Sequence, residues 1–252
     1  MSFAIVTGVS KGFGAAIAEL LLEAGIHVMG ISRTENDRLC KVAKDYNRIY
    51  KHYACDLTKL HEVEKTIDQM LDEIFENEPP TLYLINNAAI VQPVNQAMNI
   101  DESELISHMH INTIAPMIMT NKCLKKVHDS NTYFIAVQLT SGAAEAPIYG
   151  WSSYCSSKAS LSMYTKTVAL EQEKLDTGNK IIAFDPGIMD TKMQEVIRSS
   201  SHEAFKDLER FKQYKENNLL QDPANVAGIL VDLLTDEVNL ENGKIYKASE
   251  FF

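Results

Sequence analysis

Short apolar runs alternate with longer amphipathic segments along this chain. The runs are typical of buried strands, and they predict seven strands, at residues 3–7, 27–32, 49–54, 82–86, 133–138, 180–185 and 244–247. Between them, apolar residues recur at helical spacing, most clearly over residues 13–23, 59–75, 152–173 and 223–234. Strands that alternate with helices predict the α/β class, here a doubly wound parallel sheet of seven strands with helices on both faces.

The same pattern contains no sign of a boundary between domains. A chain of 252 residues can form one α/β domain, and we expect residues 1–252 to do so. Residues 190–218 interrupt the rhythm because they are polar, highly charged and without a strand pattern. A segment in this position would cover the carboxyl edge of the sheet, where it could serve as a substrate lid.

Charge and composition narrow the classes of partner. The formal net charge of −10 at pH 7 disfavours binding to nucleic acid or to an anionic membrane surface. No apolar run approaches the roughly 18 residues of a spanning helix, and no basic export signal precedes the first strand. We therefore expect a cytoplasmic protein with a small-molecule ligand.

The cysteines and histidines do not have the spacing of metal ligands. The four cysteines include no C-x-x-C pair, and the seven histidines include no H-E-x-x-H motif. Reduced thiols and no bound metal are the expectation.

A glycine-rich segment lies between the first predicted strand and the first predicted helix. Glycine allows a sharp turn and a close backbone approach to a pyrophosphate, while the helix N-terminus attracts the anion. The same glycines could form a tight turn without a ligand. Their position favours a Rossmann-type dinucleotide site, and the residues expected to hold the phosphates are Gly8, Ser10, Lys11, Gly12, Phe13 and Gly14.

Arg33 follows the second predicted strand, where the dinucleotide-binding fold distinguishes its two cofactors. An acidic residue there binds the ribose hydroxyls of NAD, whereas an arginine accommodates the 2′-phosphate of NADP. Arg33 and Lys11 could pair with that phosphate from two sides. The sequence therefore predicts NADPH/NADP+ as the cofactor, unless both cations are only solvated surface charges.

Tyr154 and Lys158 are four positions apart within a predicted helix and so lie on one of its faces. Ser141 follows the fifth predicted strand, at the edge where a parallel sheet presents ligands. A phenol has a reference pKa of about 10, and a nearby ammonium group could lower it towards neutrality. We predict that Tyr154 donates a proton to a carbonyl oxygen, with Ser141 as its hydrogen-bonding partner and Lys158 as its activator.

The glycine spacing G-x-x-x-G-x-G, together with the serine, tyrosine and lysine, resembles the short-chain dehydrogenase/reductase family. The resemblance spans nearly the whole chain and implies roles for further residues. Asn112 would be catalytic, holding a water molecule of the proton relay, and Lys158 would also hold the nicotinamide ribose. The implied cofactor contacts are Asp56 and Leu57 at the adenine, Asn87 and Ala88 in the N-N-A motif, and Pro186, Gly187, Ile188 and Thr191 at the nicotinamide carboxamide.

The strings G-W-S-S-Y-C and P-G-I-M-D-T-K-M resemble the branch of that family that contains sepiapterin reductases and bacterial benzil reductases. This likeness implies hydride transfer from NADPH to a vicinal dicarbonyl, with benzil to (S)-benzoin as the model reaction. Reduction of a pterin side-chain ketone is the alternative, with Glu250 as the candidate for the carboxylate that anchors the pterin. A non-catalytic NADP-binding regulator is a second alternative.

Four large side chains near the predicted site are candidates for an apolar substrate pocket. They are Tyr149, Trp151, Met189 and Met193, which together with Ser141 would contact an aromatic dicarbonyl, or else belong to the core. Family members commonly pair the helices near Thr113 and Ser152. A homo-oligomer, most simply a dimer, is therefore expected.

Overall fold

The computed structural model describes residues 1–236 and 239–252. Within these ranges seven strands form one sheet in the order β3-β2-β1-β4-β5-β6-β7, and every neighbouring pair is parallel. The predicted sheet is confirmed, and no strand boundary moves by more than one residue. The strands are β1 (Phe3–Thr7), β2 (His27–Ser32), β3 (Tyr50–Ala54), β4 (Thr81–Asn86), β5 (Tyr133–Leu139), β6 (Lys180–Asp185) and β7 (Ile245–Lys247).

Helices connect successive strands and lie on both faces of the sheet. A π-helical turn over His110–Ile114 joins two of them without a loop. The helices of the described ranges are α1 (Gly12–Glu23), α2 (Asp37–Asp45), α3 (Leu60–Phe75), α4 (Glu102–Met109), α5 (Ala115–Val127), α6 (Ser152–Lys174), α7 (Lys192–Arg198), α8 (Leu208–Glu216) and α9 (Pro223–Thr235). None of these helices combines the length and the apolar composition needed to cross a bilayer.

The inner strands consist of continuous apolar runs because both faces of the sheet are covered there, whereas the edge strand β3 contains Lys51 and His52 and is only partly buried. Successive residues of β1 point to opposite faces, so that Val6 packs with the α1 and α9 side chains while Ile5 packs with those of α3 and α5. Each side therefore has its own apolar core, with Ile17 and Leu230 in one and Ile67 and Met119 in the other. This packing fixes where the strand ends lie.

The polar segment over residues 190–218 contains α7 and α8, which the sequence pattern did not predict. Both helices are short, and only a few of their residues are buried. Phe205 and Phe211 nevertheless pack in a third apolar cluster with Trp151 and Tyr154. The segment is thus attached to the rest of the molecule through aromatic side chains.

Candidate active site

A cleft of about 680 Å³ opens at the carboxyl ends of the strands. It lies where the chain passes from β1 out to β2 on one side and to β4 on the other, which is the switch point at which open α/β sheets bind ligands. Its volume is within the range of small-molecule sites. Residues from the glycine loop, from the ends of β2 to β6, and from α6 and α7 line this cleft.

The glycine loop is held in a conformation that suits glycine. Gly8 has φ of +79° and Gly12 has φ of +61°, a backbone region that side chains disfavour. Gly14 is required for a different reason, since a Cβ there would lie 2.3 Å from Asn87 Nδ2 and 2.5 Å from Gly8 O. Asn87 Nδ2 in turn donates to Thr7 O at 2.8 Å. The loop after β4 therefore fixes the loop after β1.

The residues present fit the phosphates of a dinucleotide. Helix α1 begins with no side-chain cap and with no acidic residue in its first turn, so its free N–H groups face the cleft with the positive end of the helix dipole. The predicted loop residues Gly8, Ser10, Lys11, Gly12, Phe13 and Gly14 all line the cleft.

Two cations stand at the β2 end of the cleft. Arg33 and Lys11 are exposed there, and neither forms an ion pair within the described residues. Ser32 Oγ donates to Thr34 O at 2.8 Å and shapes the turn that carries the guanidinium. Asp56, after β3, also lines the cleft, and its pKa is lowered first by the backbone N–H of Thr58 and less by Arg33.

The catalytic triad predicted from the sequence comes together at the other end of the cleft. Tyr154 and Lys158 lie on the buried face of α6, and Ser141 follows β5. All three line the cleft. Lys158 Nζ lies 5.7 Å from the centre of the Tyr154 ring and donates to Leu139 O at 2.8 Å. Ser141 Oγ accepts from Ala143 N at 3.2 Å.

The pKa of Tyr154 differs from the sequence expectation. Burial raises the pKa of Tyr154 to about 12, against the lowering effect of its hydrogen bond with Ser141. Burial also lowers the pKa of Lys158 to about 8. Desolvation of the phenolate therefore outweighs the hydrogen bond from Ser141, and Lys158 is not the main influence on this pKa. The phenol keeps its proton at neutral pH, which is the form that a proton donor requires.

Asp185 is a charged neighbour of this group that the sequence reasoning missed. Its Oδ1 accepts from Gly187 N at 2.9 Å, and its carboxylate raises the pKa of both Tyr154 and Lys158. Its position in the sequence could have indicated this role, because Asp185 ends β6 directly before the predicted Pro186-Gly187 turn. A carboxylate there opposes ionisation of the phenol and favours the charged lysine.

The segment after β6 contributes most of the residues expected near the nicotinamide. Pro186, Gly187 and Thr191 line the cleft. The residues predicted to contact other parts of the cofactor, Asp56, Leu57, Asn87 and Ala88, line it as well. Ile188 is placed behind this surface, where its carbonyl accepts from Gln221 N at 2.9 Å.

Asn112 lies beneath the cleft rather than in its wall. It is 1 % exposed within the π-helical turn, and its Oδ1 accepts from Ile90 N at 2.9 Å while its Nδ2 donates to Ile90 O at 2.8 Å. Ile90 itself lines the cleft. The amide of Asn112 thus holds one wall of the site by its backbone.

Two of the four large side chains predicted to form an apolar substrate pocket lie at the cleft. Met189 and Met193 line the cleft, as do Ile90 and Gln194, which were not predicted. Trp151, by contrast, is buried and stacks on Phe205 with ring centres 5.1 Å apart.

Tyr149 is the other exception, because it lies on the surface. Its hydroxyl accepts from Gln96 Nε2 at 2.8 Å, and it is not among the residues that line the cleft. The sequence marked Trp151 and Tyr149 as aromatic but could not distinguish a wall of the cleft from the packing behind it.

No group of three or more histidine, cysteine, aspartate or glutamate side chains in the described ranges is arranged to hold a metal ion.

A model of the short chain dehydrogenase family matches residues 2–202. The chain belongs to this family. Benzil reductase ((S)-benzoin forming) of Bacillus subtilis (strain 168) is 40% identical over 251 residues, which are 100% of both chains. Sepiapterin reductase of Xenopus tropicalis is 29% identical, over 91% of this chain and 90% of that one. The solved structure of the KRED1-Pglu enzyme is 26% identical with a TM-score of 0.82, covering 97% of this chain and 100% of that one.

Membership of the family gives the general chemistry of the cleft. This short-chain dehydrogenase is an oxidoreductase that acts on the C=O/CH–OH couple and uses a nicotinamide cofactor. The likeness to benzil reductases and, more weakly, to sepiapterin reductases confirms the branch predicted from the sequence. The family thus assigns a carbonyl reductase of Rossmann-like fold to this chain.

Proposed function

We propose that this protein is an NADPH-dependent reductase of vicinal dicarbonyl compounds, with benzil to (S)-benzoin as its model reaction. The observation that carries the proposal is the meeting of Tyr154, Ser141 and Lys158 in a cleft whose wall includes Met189 and Met193. Similarity to a benzil reductase over the whole chain supports it. An aromatic diketone suits such a wall because methionine side chains adapt to aromatic rings.

The reaction follows from the positions of the polar groups. Tyr154 Oη donates its proton to the carbonyl oxygen, and the Ser141 hydroxyl donates a hydrogen bond to the same oxygen as negative charge develops there. When bound in the cleft, a reduced nicotinamide supplies the hydride that the carbonyl carbon accepts. The ammonium of Lys158 favours the phenolate that remains. The second carbonyl is unchanged, so the product is a hydroxy ketone.

Selection of NADPH over NADH rests on Arg33 and Lys11. Both cations lie at the end of the cleft that would receive the adenosine ribose, and Asp56 follows the neighbouring strand β3 rather than β2. A guanidinium and an ammonium can pair with a 2′-phosphate, whereas NADH offers them only hydroxyls. Asp56 and Leu57 would then contact the adenine.

The nicotinamide end of the cofactor would be held by Lys158 and by the segment after β6. Pro186, Gly187 and Thr191 line that part of the cleft, and Ile188 supplies backbone next to it. Asn112 would support the proton relay from below. Residues 190–218 would act as the substrate lid.

Sepiapterin is the second candidate substrate, because sepiapterin reductases are among the relatives. A pterin would need a carboxylate to bind its amino group, and Glu250 was the candidate. Glu250 is exposed in the 3₁₀ turn Ala248–Glu250 and does not line the cleft. The diketone is therefore preferred.

A non-catalytic regulator would need only the dinucleotide half of the cleft. A protonated phenol beside a serine hydroxyl is not required for binding NADP, and this arrangement favours an enzyme. A cytoplasmic location and a dimer remain predictions. Exposed apolar residues on α6, Met163 and Leu170, support an interface through that helix.

The test is the initial rate of NADPH oxidation with benzil and with sepiapterin, each repeated with NADH, followed by chiral separation of the product. Rapid, NADPH-selective formation of (S)-benzoin is expected. A strong preference for sepiapterin would replace the diketone by the pterin. Tight NADPH binding without turnover of any carbonyl would favour the regulator, and Tyr154→Phe must abolish whatever turnover is found.

A further inference from the structure

A histidine without a role in the proposed chemistry is buried directly beneath the active site. His108, in α4, is 0% exposed, and its ring centre lies 6.2 Å from that of Tyr154 in an edge-on arrangement. A buried imidazole must have its hydrogen bonds satisfied and loses the charged form most easily. Its contacts therefore show which protonation state the fold requires.

The proton of the neutral ring is on Nδ1. His108 Nδ1 lies 2.6 Å from Gln92 O, and a carbonyl oxygen can only accept, so Nδ1 donates. The other nitrogen, Nε2, is then an acceptor. It lies 3.1 Å from Asn112 Nδ2, which donates to it.

The amide of Asn112 cannot turn over to suit a different partner. Its Oδ1 accepts from Ile90 N at 2.9 Å, and its Nδ2 donates to Ile90 O at 2.8 Å. Protonation of His108 Nε2 would place its N–H against the N–H of this fixed amide. The Asn112 N–H would then face a donor in place of its acceptor, and the new N–H of His108 would have to turn to Ser157 Oγ, so the hydrogen bond between His108 and Asn112 would be lost.

The same ring also reaches the catalytic helix. His108 Nε2 lies 3.1 Å from Ser157 Oγ, and that hydroxyl donates to Tyr154 O at 2.8 Å. One imidazole thus touches three elements that form the cleft: the segment after β4 through Gln92, the π-helical turn through Asn112, and α6 through Ser157.

We infer that neutral His108 is a positioning residue of the reductase, and that its protonation sets the acidic limit of turnover. The inference rests on the proposed function only where turnover is measured, and its spectroscopic and unfolding tests need no substrate. The neutral ring keeps Ile90 and the backbone of Tyr154 in their places on either side of the substrate. The charged ring would displace the Asn112 amide and with it the wall of the cleft.

The charge of Lys158 opposes protonation of His108, whereas hydrogen bonds to the backbone of Gln92 and Ser153 favour it. From α6 His108 is faced by Lys158 and by the phenol of Tyr154, while the segment after β4 presents the Gln92 carbonyl and the π-helical turn presents Asn112. Burial first, and then the charge of Lys158, lowers the pKa of His108 below its ordinary 6.5.

The sign of the pH effect follows from that direction. An unfolded chain protonates His108 as the pH falls below 6.5, whereas the folded chain resists until a lower pH. Stability is therefore fully present above 6.5 and is lost as the pH falls from 6.5 to the folded pKa. His27, at the start of β2, also has a lowered pKa but is remote from the cleft, so it provides a matched control.

The experiment compares His108→Gln, His108→Leu and His27→Gln with the parent protein. Glutamine offers an acceptor in place of Nε2 but does not titrate, and leucine offers none. The kcat and KM for the best carbonyl substrate are measured between pH 5 and 8, together with the urea unfolding of the ligand-free protein. Histidine ¹⁵N chemical shifts report the tautomer and pKa of His108 directly.

The parent should lose kcat at acidic pH with little change in KM, and His108→Gln should remove that loss while keeping kcat at pH 7.5 within about threefold of the parent. His108→Leu should lower kcat at pH 7.5 by roughly tenfold, as expected for a shifted catalytic group. His27→Gln should change the pH dependence of unfolding but leave that of kcat unchanged.

An acidic limb of kcat that is the same in His108→Gln and the parent would overturn the inference, as would a proton on Nε2 at pH 7.5 in the ¹⁵N spectrum. If His108→Leu does not fold, the glutamine variant and the spectrum still decide. If no carbonyl is turned over, the proposed function fails, while the spectrum and the unfolding titration still test whether neutral His108 is required by the fold.

Discussion

The two ends of the cleft are built in different ways. The dinucleotide end consists of strand ends and the loops that directly follow them, and its key atoms are backbone N–H groups at the start of α1 and glycines that permit close approach. The substrate end combines segments that are far apart in sequence, joined through Trp151, Phe205 and Phe211. Binding of the nicotinamide cofactor thus depends on local backbone geometry. The shape of the substrate pocket depends instead on long-range side-chain packing.

Tyr154→Phe should show the largest difference between the two ends of the cleft, because it affects catalysis and not cofactor binding. Loss of the proton donor should lower kcat by about 10² to 10⁴-fold, the usual contribution of a general acid. The dissociation constant for NADPH, measured by fluorescence, should change little. Tyr164→Phe on the same helix, whose hydroxyl bonds Asn121 Oδ1 at 2.7 Å away from the cleft, is the control. Unchanged turnover in Tyr154→Phe would remove the phenol from the mechanism.

Gly14→Ala tests the dinucleotide end alone. The new methyl group would overlap Gly8 O and Asn87 Nδ2, and the backbone atom cannot move away without shifting the loop. Overpacking of this kind costs about 1–3 kcal/mol, so we expect NADPH affinity to fall by roughly 10- to 100-fold. Gly228→Ala in α9, where nothing lies within 4 Å of the added carbon, should leave affinity as it is. Equal effects of both substitutions would argue against a close-packed loop.

Arg33→Ala tests the selection between the two cofactors. Removing the guanidinium should weaken NADPH binding by roughly 10- to 100-fold and leave NADH binding almost unaffected, because one charge-assisted hydrogen bond contributes about 1.5–3 kcal/mol. The comparison is kcat/KM for each cofactor. Arg38→Ala removes an arginine that pairs with Glu19 outside the cleft and should not alter the ratio. A parallel loss with NADPH and NADH would assign Arg33 a structural role.

Phe205→Leu tests the packing of the substrate end and should have the smallest effect. Trimming this fully buried ring against Trp151 should lower the free energy of unfolding by about 1 kcal/mol and raise the KM for the carbonyl substrate a few-fold. The NADPH dissociation constant should remain constant. Phe134→Leu, in β5 and fully buried in the core on the α3 and α5 side of the sheet, should destabilise the protein similarly without changing KM. An identical KM in both variants would show that the aromatic cluster does not determine the shape of the substrate pocket.

The sequence alone was sufficient for the parallel sheet, because apolar runs with both faces covered and helices between them leave few alternative folds. It was also sufficient to bring Gly8, Tyr154 and Lys158 to the same edge, since residues that follow parallel strands or begin the helices after them meet there. Such placements follow from local periodicity and from the topology that it implies.

Only the tertiary structure decided the remaining properties of the site. It placed Trp151 behind the pocket and Asp185 beside the triad, and it brought His108 under Asn112. It also showed that burial, and not Lys158, dominates the pKa of the Tyr154 phenol. Burial, solvation and hydrogen-bond partners depend on contacts between distant segments, and periodicity along the chain carries no information about those contacts.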